Sequence, residues 1–273
     1  MDMTSTLESI AQAVPATDAG YIKDGILHCR VCNVPKQCKV TFAGIEKIFP
    51  CLCDCEVKAQ EEAEARVKEQ TKRCEIKRAR DAGIADARFR EWTFDKDDGS
   101  DQAYMNMLKK YADNKYEMKK ENMGLFIFGE KGTGKTFGAA CLANRLIEEG
   151  EKVIMSTFPR IERMIFDSEN KNHTISEVVN ADFLIIDDFG VERKTEYQQE
   201  MIYTIIDERY KANKPLIITS NISYKDLLLS ISGEQGRVYE RIAEMCQPVN
   251  KSGKSRRMVK AISKSERFKE LMK

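Results

Sequence analysis

Between Leu125 and Ser220, short unbroken apolar runs alternate with longer stretches whose apolar positions recur every three or four residues. The runs are Leu125–Phe128 (LFIF), Val153–Thr157 (VIMST), Phe183–Asp188 (FLIIDD) and Pro215–Ser220 (PLIITS). Runs of this length predict strands covered on both faces, as in a parallel sheet. After the first run, Phe137, Ala140, Leu142, Ala143, Leu146 and Ile147 carry helical spacing, and Gly150 is placed to stop the helix. Pro159 opens a helix carrying Arg160, Arg163, Met164 and Ile165, and residues 167–180 begin loop-like and turn helical. Thr195 and Gln198 read as a capping box for a helix whose Met201, Ile202, Ile205 and Ile206 face a core. The alternation predicts a three-layer α/β domain.

The chain ahead of this domain is patterned differently. Residues 1–20 are weakly patterned, either frayed or a short helix. Residues 56–82 are dense in Glu, Lys, Arg and Ala without a wide apolar stripe, which reads as a solvated connector or a helix that docks on a partner. Gly83 ends it, and the expected domains are residues 1–85 and 86–273. Phe89, Trp92 and Phe94 form an aromatic cluster, a lid or packing edge of the α/β domain, and Tyr104 to Lys120 reads as a helix leading into the first strand.

Composition narrows the function classes. Lys plus Arg is 45 and Asp plus Glu is 44, so any nucleic-acid surface must be a local patch. No apolar run approaches the roughly 20 residues needed to cross a bilayer. Met1 to Ala19 lacks the basic start and apolar core of a secretory signal. The expected setting is therefore the cytoplasm, with no membrane partner. There, nine cysteines would be free or on metal.

Six of those cysteines fall between Cys29 and Cys55. Cys29 and Cys32, then Cys51 and Cys53, supply two close pairs of soft ligands suited to tetrahedral Zn²⁺. The second group runs C-x-C-x-C, so Cys55 competes with Cys51 and Cys53, and Cys38 and His28 are further substitutes. The metal's role would be structural, because so small a segment with few large apolar residues needs one to fold.

Gly129, Glu130, Lys131, Gly132, Thr133, Gly134, Lys135 and Thr136 fit the G-x-x-x-x-G-K-[ST] phosphate loop, between the first strand and its helix. The glycines let backbone N–H groups turn toward a polyphosphate. Lys135 would reach the β- and γ-phosphates, Thr136 would hold Mg²⁺, and Phe137 opens the helix beside the nucleotide. Asp187 ends an apolar strand at the same sheet edge and can hold the Mg²⁺ water shell. Asp188 is the candidate to orient or deprotonate an attacking water. Asn221, closing the fourth strand, can hold that water and the γ-phosphate or serve as a turn residue. Arg237 and Arg241 lie one helical turn apart, as an ordinary surface face or as an arginine finger offered to a neighbouring subunit. Residues 251–257 form a basic turn, phosphate-sensing or solvated.

The ordered set GEKGTGKT, FLIIDDFG, LIITSN, GRVYERIAEMCQPV and GKSRR resembles the AAA+ replicative helicase loaders of bacteria and phages, the DnaC/DnaI type, over residues of about 90 to 260. The cysteine-rich segment resembles the zinc-bearing helicase-binding domain of some members. The resemblance implies a P-loop AAA+ ATPase core with sheet order 5-1-4-3-2, which seats Asn221 between Lys135 and Asp187. It implies ATP, Mg²⁺ and Zn²⁺ as cofactors and Arg241 as the finger, with Arg237 one turn before. Arg257 is the nearer match to the second phosphate sensor, whose tripeptide has Arg256 where the family has an aromatic. It further implies that residues 1–85 bind a DnaB-type hexameric helicase, that loaders self-associate through their ATP sites, and that the helicase is placed on single-stranded DNA. Arg160, Arg163 and Phe166 are the DNA contacts so implied, or members of a packing helix. Rival readings are an IstB-type transposition helper ATPase, an ATP-binding switch or scaffold with incidental hydrolysis, and a small-molecule kinase.

Overall fold

The computed structural model describes residues 20–42, 44–190, 195–232 and 236–272, so residues 1–19 of the weakly patterned start lie outside the described residues. The chain divides into two compact units, residues 1–73 and 74–273.

In the first unit, β1 (Tyr21–Lys23) and β2 (Ile26–His28) form an antiparallel hairpin. Its turn residues Asp24 and Gly25 are both left-handed, with φ of 52° and 76°. Two-residue hairpins favour such turns because their twist matches that of the strands. A second hairpin pairs β3 (Gln37–Phe42) with β4 (Ile45–Pro50), whose residues are all exposed. Among the described residues of this unit, only Cys29 and Cys53 are buried. Helix α1 (Asp54–Gly83) starts here and runs into the second unit, polar all round and buried only at Gly83. A Cβ on Gly83 would lie 2.1 Å from the carbonyl oxygen of Val153, so only glycine lets the helix end so close to the sheet.

Past the end of α1, the second unit carries α2 (Gln102–Asp113) and α3 (Lys115–Lys120). These replace the single helix expected over 104–120. Asn114 breaks it, its side-chain amide donating to the Lys110 carbonyl at 2.7 Å, the local competition that makes Asn a poor interior residue. Then come β5 (Gly124–Phe128), α4 (Lys135–Glu148), β6 (Val153–Ser156), α5 (Phe158–Phe166), α6 (Lys171–Asn180) and β7 (Phe183–Phe189). They are followed by α7 (Glu196–Lys211), β8 (Leu216–Ser220), α8 (Tyr224–Leu229), α9 (Gly236–Met245), β9 (Cys246–Asn250) and α10 (Arg256–Leu271).

The five strands pair in parallel in the order β6-β7-β8-β5-β9, which is the expected 5-1-4-3-2. Alternate side chains feed two cores. Leu125, Ile127, Ile185 and Ile217 pack with α2 and α4; Phe126, Leu184, Ile186, Leu216 and Ile218 pack with α5, α7 and α9. Each such side chain contributes about 1.5–3 kcal/mol on burial, so the register is fixed from both sides. The fifth strand, CQPVN, has no apolar run and could not be found by pattern. Thr195 caps α7, accepting from the Gln198 amide at 3.4 Å, but the Gln198 side chain donates to Glu162 at 2.9 Å, so half of the expected capping box forms.

Candidate functional site

The P-loop joins β5 to α4 and curls through Gly129, Gly132 and Gly134, with φ of 143°, 83° and 106°, so each glycine occupies backbone space that other residues avoid. Two of them also admit the incoming C-terminal segment. A Cβ on Gly129 would meet the Lys251 carbonyl oxygen at 2.2 Å, and one on Gly132 would meet Ser255 Oγ at 2.3 Å.

Lys135, on the first turn of α4, points its ammonium back into the loop. It donates to the carbonyls of Gly129 at 2.8 Å and Glu130 at 2.9 Å and to Asn221 Oδ1 at 2.9 Å. Asn221 reaches it because β8 lies between β5 and β7. Burial pushes the Lys135 pKa down, and the Asp188 and Asp187 carboxylates push it back up. Asp187 is 5% exposed. Burial raises its pKa, against hydrogen bonds from the Thr219 and Thr136 hydroxyls. The Thr219 hydroxyl donates to Asp187 Oδ1 at 2.6 Å and accepts from the Asp188 amide at 3.0 Å. Asp188 is left-handed, with φ of 56°.

Lys135, Thr136, Asp187, Asp188 and Asn221 line one cleft of about 900 Å³. Its basic side chains are Arg88, Lys96, Lys131, Lys135, Arg256 and Arg257, against the acids Asp98, Asp187 and Asp188, an excess suited to a polyanion. The remaining wall is aromatic: Phe89, Trp92 and Phe137 have ring centroids 4.5 and 5.6 Å apart in succession. A flat apolar wall beside a cationic floor with two acids suits a base joined to a Mg²⁺-bound phosphate tail. Thr136 and Asp187 are the residues that would hold that Mg²⁺.

Sequence reasoning missed Arg88, Lys96, Asp98 and Arg256 as wall residues. Arg256 and Arg257 both line the cleft, Arg256 half-buried and Arg257 exposed. The Arg256 backbone donates to Gly132 at 2.9 Å; its guanidinium pairs with Asp98 at 3.1 Å and Asp97 at 3.4 Å and covers the Phe137 ring. The signal that could have found it was the pair of acids, Asp97 and Asp98, that meets its guanidinium. Arg237 and Arg241, on α9, are not among the residues lining the cleft. Arg241 pairs with Asp207 and lies over the rings of Tyr203 and Tyr210. Both arginines hold the Tyr203 pKa down by hydrogen bonding, Arg241 the more.

In the first unit, the sulfurs of Cys29, Cys32, Cys53 and Cys55 all lie within 4.8 Å of one another. Tetrahedral Zn²⁺ with bonds of about 2.3 Å needs sulfurs about 3.8 Å apart, which the cluster can meet with small shifts. The cluster takes in Cys55 and leaves out Cys51, one of the four cysteines expected as ligands. Cys51 follows the β3–β4 ladder, its amide bonded to the Lys36 carbonyl and its thiol turned to the Pro35 carbonyl, whereas Cys53 and Cys55 ride the start of α1. His28 is likewise turned aside, hydrogen-bonded to the Ile26 carbonyl and stacked on Tyr21. A backbone hydrogen bond from Val34 pulls the Cys32 thiol down to about 6. Sharing a hydrogen bond with Cys32 pushes Cys55 up to about 12. A divalent cation would instead favour the thiolate form of all four.

No described helix is long and apolar enough to cross a membrane. The family model for IstB-like ATP-binding proteins matches residues 51–264. The replicative helicase loader DnaI of Bacillus subtilis is 29% identical over 181 residues, covering 60% of this chain and 58% of that protein. The replicative helicase loader DnaC of Escherichia coli K12 is 30% identical over 147 residues, covering 52% of this chain and 58% of that protein. The chain thus spans under two thirds of the length of these curated relatives. A crystal structure of DnaI superposes with a TM-score of 0.54 at 22% identity, over 64% of this chain and 95% of that one, a likeness of fold.

Proposed function

This chain belongs to the IstB-like ATP-binding protein family, and from that membership we propose that it is a replicative helicase loader of the DnaC/DnaI kind. It would bind a hexameric replicative helicase, place it on single-stranded DNA, and use ATP binding and hydrolysis to assemble and release. The observation that carries the reading is the meeting of Lys135, Asn221, Asp187 and Asp188 in one cationic cleft.

Each residue then has a task. Lys135 exchanges its carbonyl partners for β- and γ-phosphate oxygens while Asn221 stays beside it. Thr136 and Asp187 hold Mg²⁺, which when bound offsets charge on those oxygens. Asp188 orients or deprotonates the attacking water, and Asn221 steadies it. Phe89, Trp92 and Phe137 close the base end against water. Arg256 and Arg257 can read the phosphate tail, and Arg241 and Arg237 serve a neighbouring subunit's site, with self-association as the consequence. The thiols of Cys29, Cys32, Cys53 and Cys55 hold a structural zinc. Residues 1–85 form the helicase-binding domain and 86–273 the ATPase. Exposed Arg160, Arg163 and Phe166 on α5 offer charge and stacking to single-stranded DNA.

The match to IstB-like ATP-binding proteins keeps one second reading in play, an IstB-type helper ATPase for transposition. Co-purification separates the two. The full chain with ATP is expected to form a stoichiometric complex with a replicative helicase, and selective capture of a transposase instead would overturn the loader reading. Asp188→Asn is expected to keep nucleotide binding and to lose about 10²-fold or more in turnover. If Lys135→Ala binds labelled ATP as tightly as the unaltered chain, the assignment of the cleft is wrong.

A further inference from the structure

β7 and β8 leave register at the acids. Ile186 pairs with Ile218, but the next pair is Phe189 with Ser220, so β7 advances three residues where β8 advances two. The extra residue makes a bulge, with Asp187 and Asp188 facing Thr219 alone. Successive strand residues ordinarily point to opposite faces, yet both of these acids line the cleft. The bulge and the left-handed Asp188 are what bring them together.

Such a bulge leaves one amide without its ladder partner and needs something to hold a disfavoured backbone. Thr219 supplies both. Its hydroxyl accepts from the Asp188 amide at 3.0 Å and donates its single proton to Asp187 Oδ1 at 2.6 Å. Thr219 is fully buried and is not among the residues lining the cleft, so it acts through the acids rather than on a substrate.

We propose that Thr219 is a positioning residue whose one hydroxyl fixes both acids of the site, aiming the Asp187 carboxylate toward Thr136 and locking the turned peptide that presents Asp188. The inference rests on the ATPase reading above. Valine keeps the shape of threonine and removes the hydroxyl, stranding the amide and freeing the carboxylate. Serine keeps the hydroxyl.

The test compares the full-length chain with Thr219→Val and Thr219→Ser. In nucleotide-free protein, the Asp188 amide is expected to exchange with solvent at least about tenfold faster in the valine variant and to stay protected in the serine variant. Fluorescent ATP without Mg²⁺ should bind all three within about twofold. The Mg²⁺ concentration that tightens binding should rise several-fold in the valine variant alone, and turnover there should fall about 10²-fold, the usual penalty for a misplaced group. A valine variant with unchanged Asp188 exchange and unchanged Mg²⁺ dependence would overturn the inference, as would a serine variant as defective as valine. The parent reading fails differently: the unaltered chain would then bind no nucleotide, and the inference would fall with it.

Discussion

The two units solve the same problem with opposite means. In the second unit every residue of β8 is buried, and so is all of β7 except Asp188. In the first, β4 is exposed throughout and, among the described residues, the buried ones are two cysteines of the thiol cluster. Where a core is spread over many side chains, each contributes a small share and the loss of one is graded. Where four sulfurs replace a core, removal of one ligand is all or none. Charge also acts oppositely in the two. Among the thiols, four thiolates gathered in one cluster would need a cation; in the second unit, a buried charge such as Arg209 is met by protein carbonyls.

The largest effect should come from the proposed zinc. Structural zinc supplies about 10–16 kcal/mol of apparent binding energy in small domains, more than a unit with so little apolar interior can supply for itself. Cys55→Ser is expected to lose bound zinc and collapse the amide signals of residues 20–53 to unfolded positions, while the second unit melts within about 2 °C of its usual temperature. Cys51→Ser should retain one zinc per chain by elemental analysis. Zinc loss in Cys51→Ser with retention in Cys55→Ser would reverse the ligand assignment. Conversely, Phe126→Ala, deep in the sheet, should cost the second unit about 3–5 kcal/mol, a fall of about 10 °C, and leave the zinc content unchanged. A change in zinc on that substitution would mean that the units are not energetically separate.

How far each unit could be read from sequence follows from the same contrast. Apolar runs named four strands of the sheet because burial on both faces forces continuous hydrophobicity, and the P-loop, Asp187, Asp188 and Asn221 followed from their place at strand ends. β9 escaped because an edge strand needs no such run. Arg209 escaped too. Fully buried in α7, it donates to the carbonyls of Val179, Ala181, Asp182 and Pro215, groups far apart in sequence that only the fold collects. Whether Cys51 or Cys55 joins the thiol cluster turns on where β4 gives way to α1, and spacing alone does not encode that boundary. The Thr219 contact was illegible because it depends on a register shift between two strands that both look regular.

The smallest effect sharpens the contrast in the treatment of charge. Asp86 accepts from the Arg88 amide at 3.0 Å and pairs with its guanidinium at 2.8 Å, and these contacts, with Arg160 nearby, hold its pKa at about 2. An unfolded aspartate titrates near 3.9, so the folded form is the weaker proton binder. The stabilisation is therefore fully present above about pH 4 and is lost as the pH falls through 2. The shift alone would give about 2.6 kcal/mol, but the Arg88 side chain is 78% exposed, and solvent screening leaves about 1 kcal/mol. Asp86→Asn keeps an acceptor for the amide and deletes only the charge. It should lower urea stability by that amount at pH 7, by less in 1 M salt, and by nothing measurable near pH 2. An undiminished difference at pH 2 would assign the effect to packing. The rim charges of the second unit would then resemble its core, and the division between a unit held by packing and a unit held by charge would rest on the thiols alone.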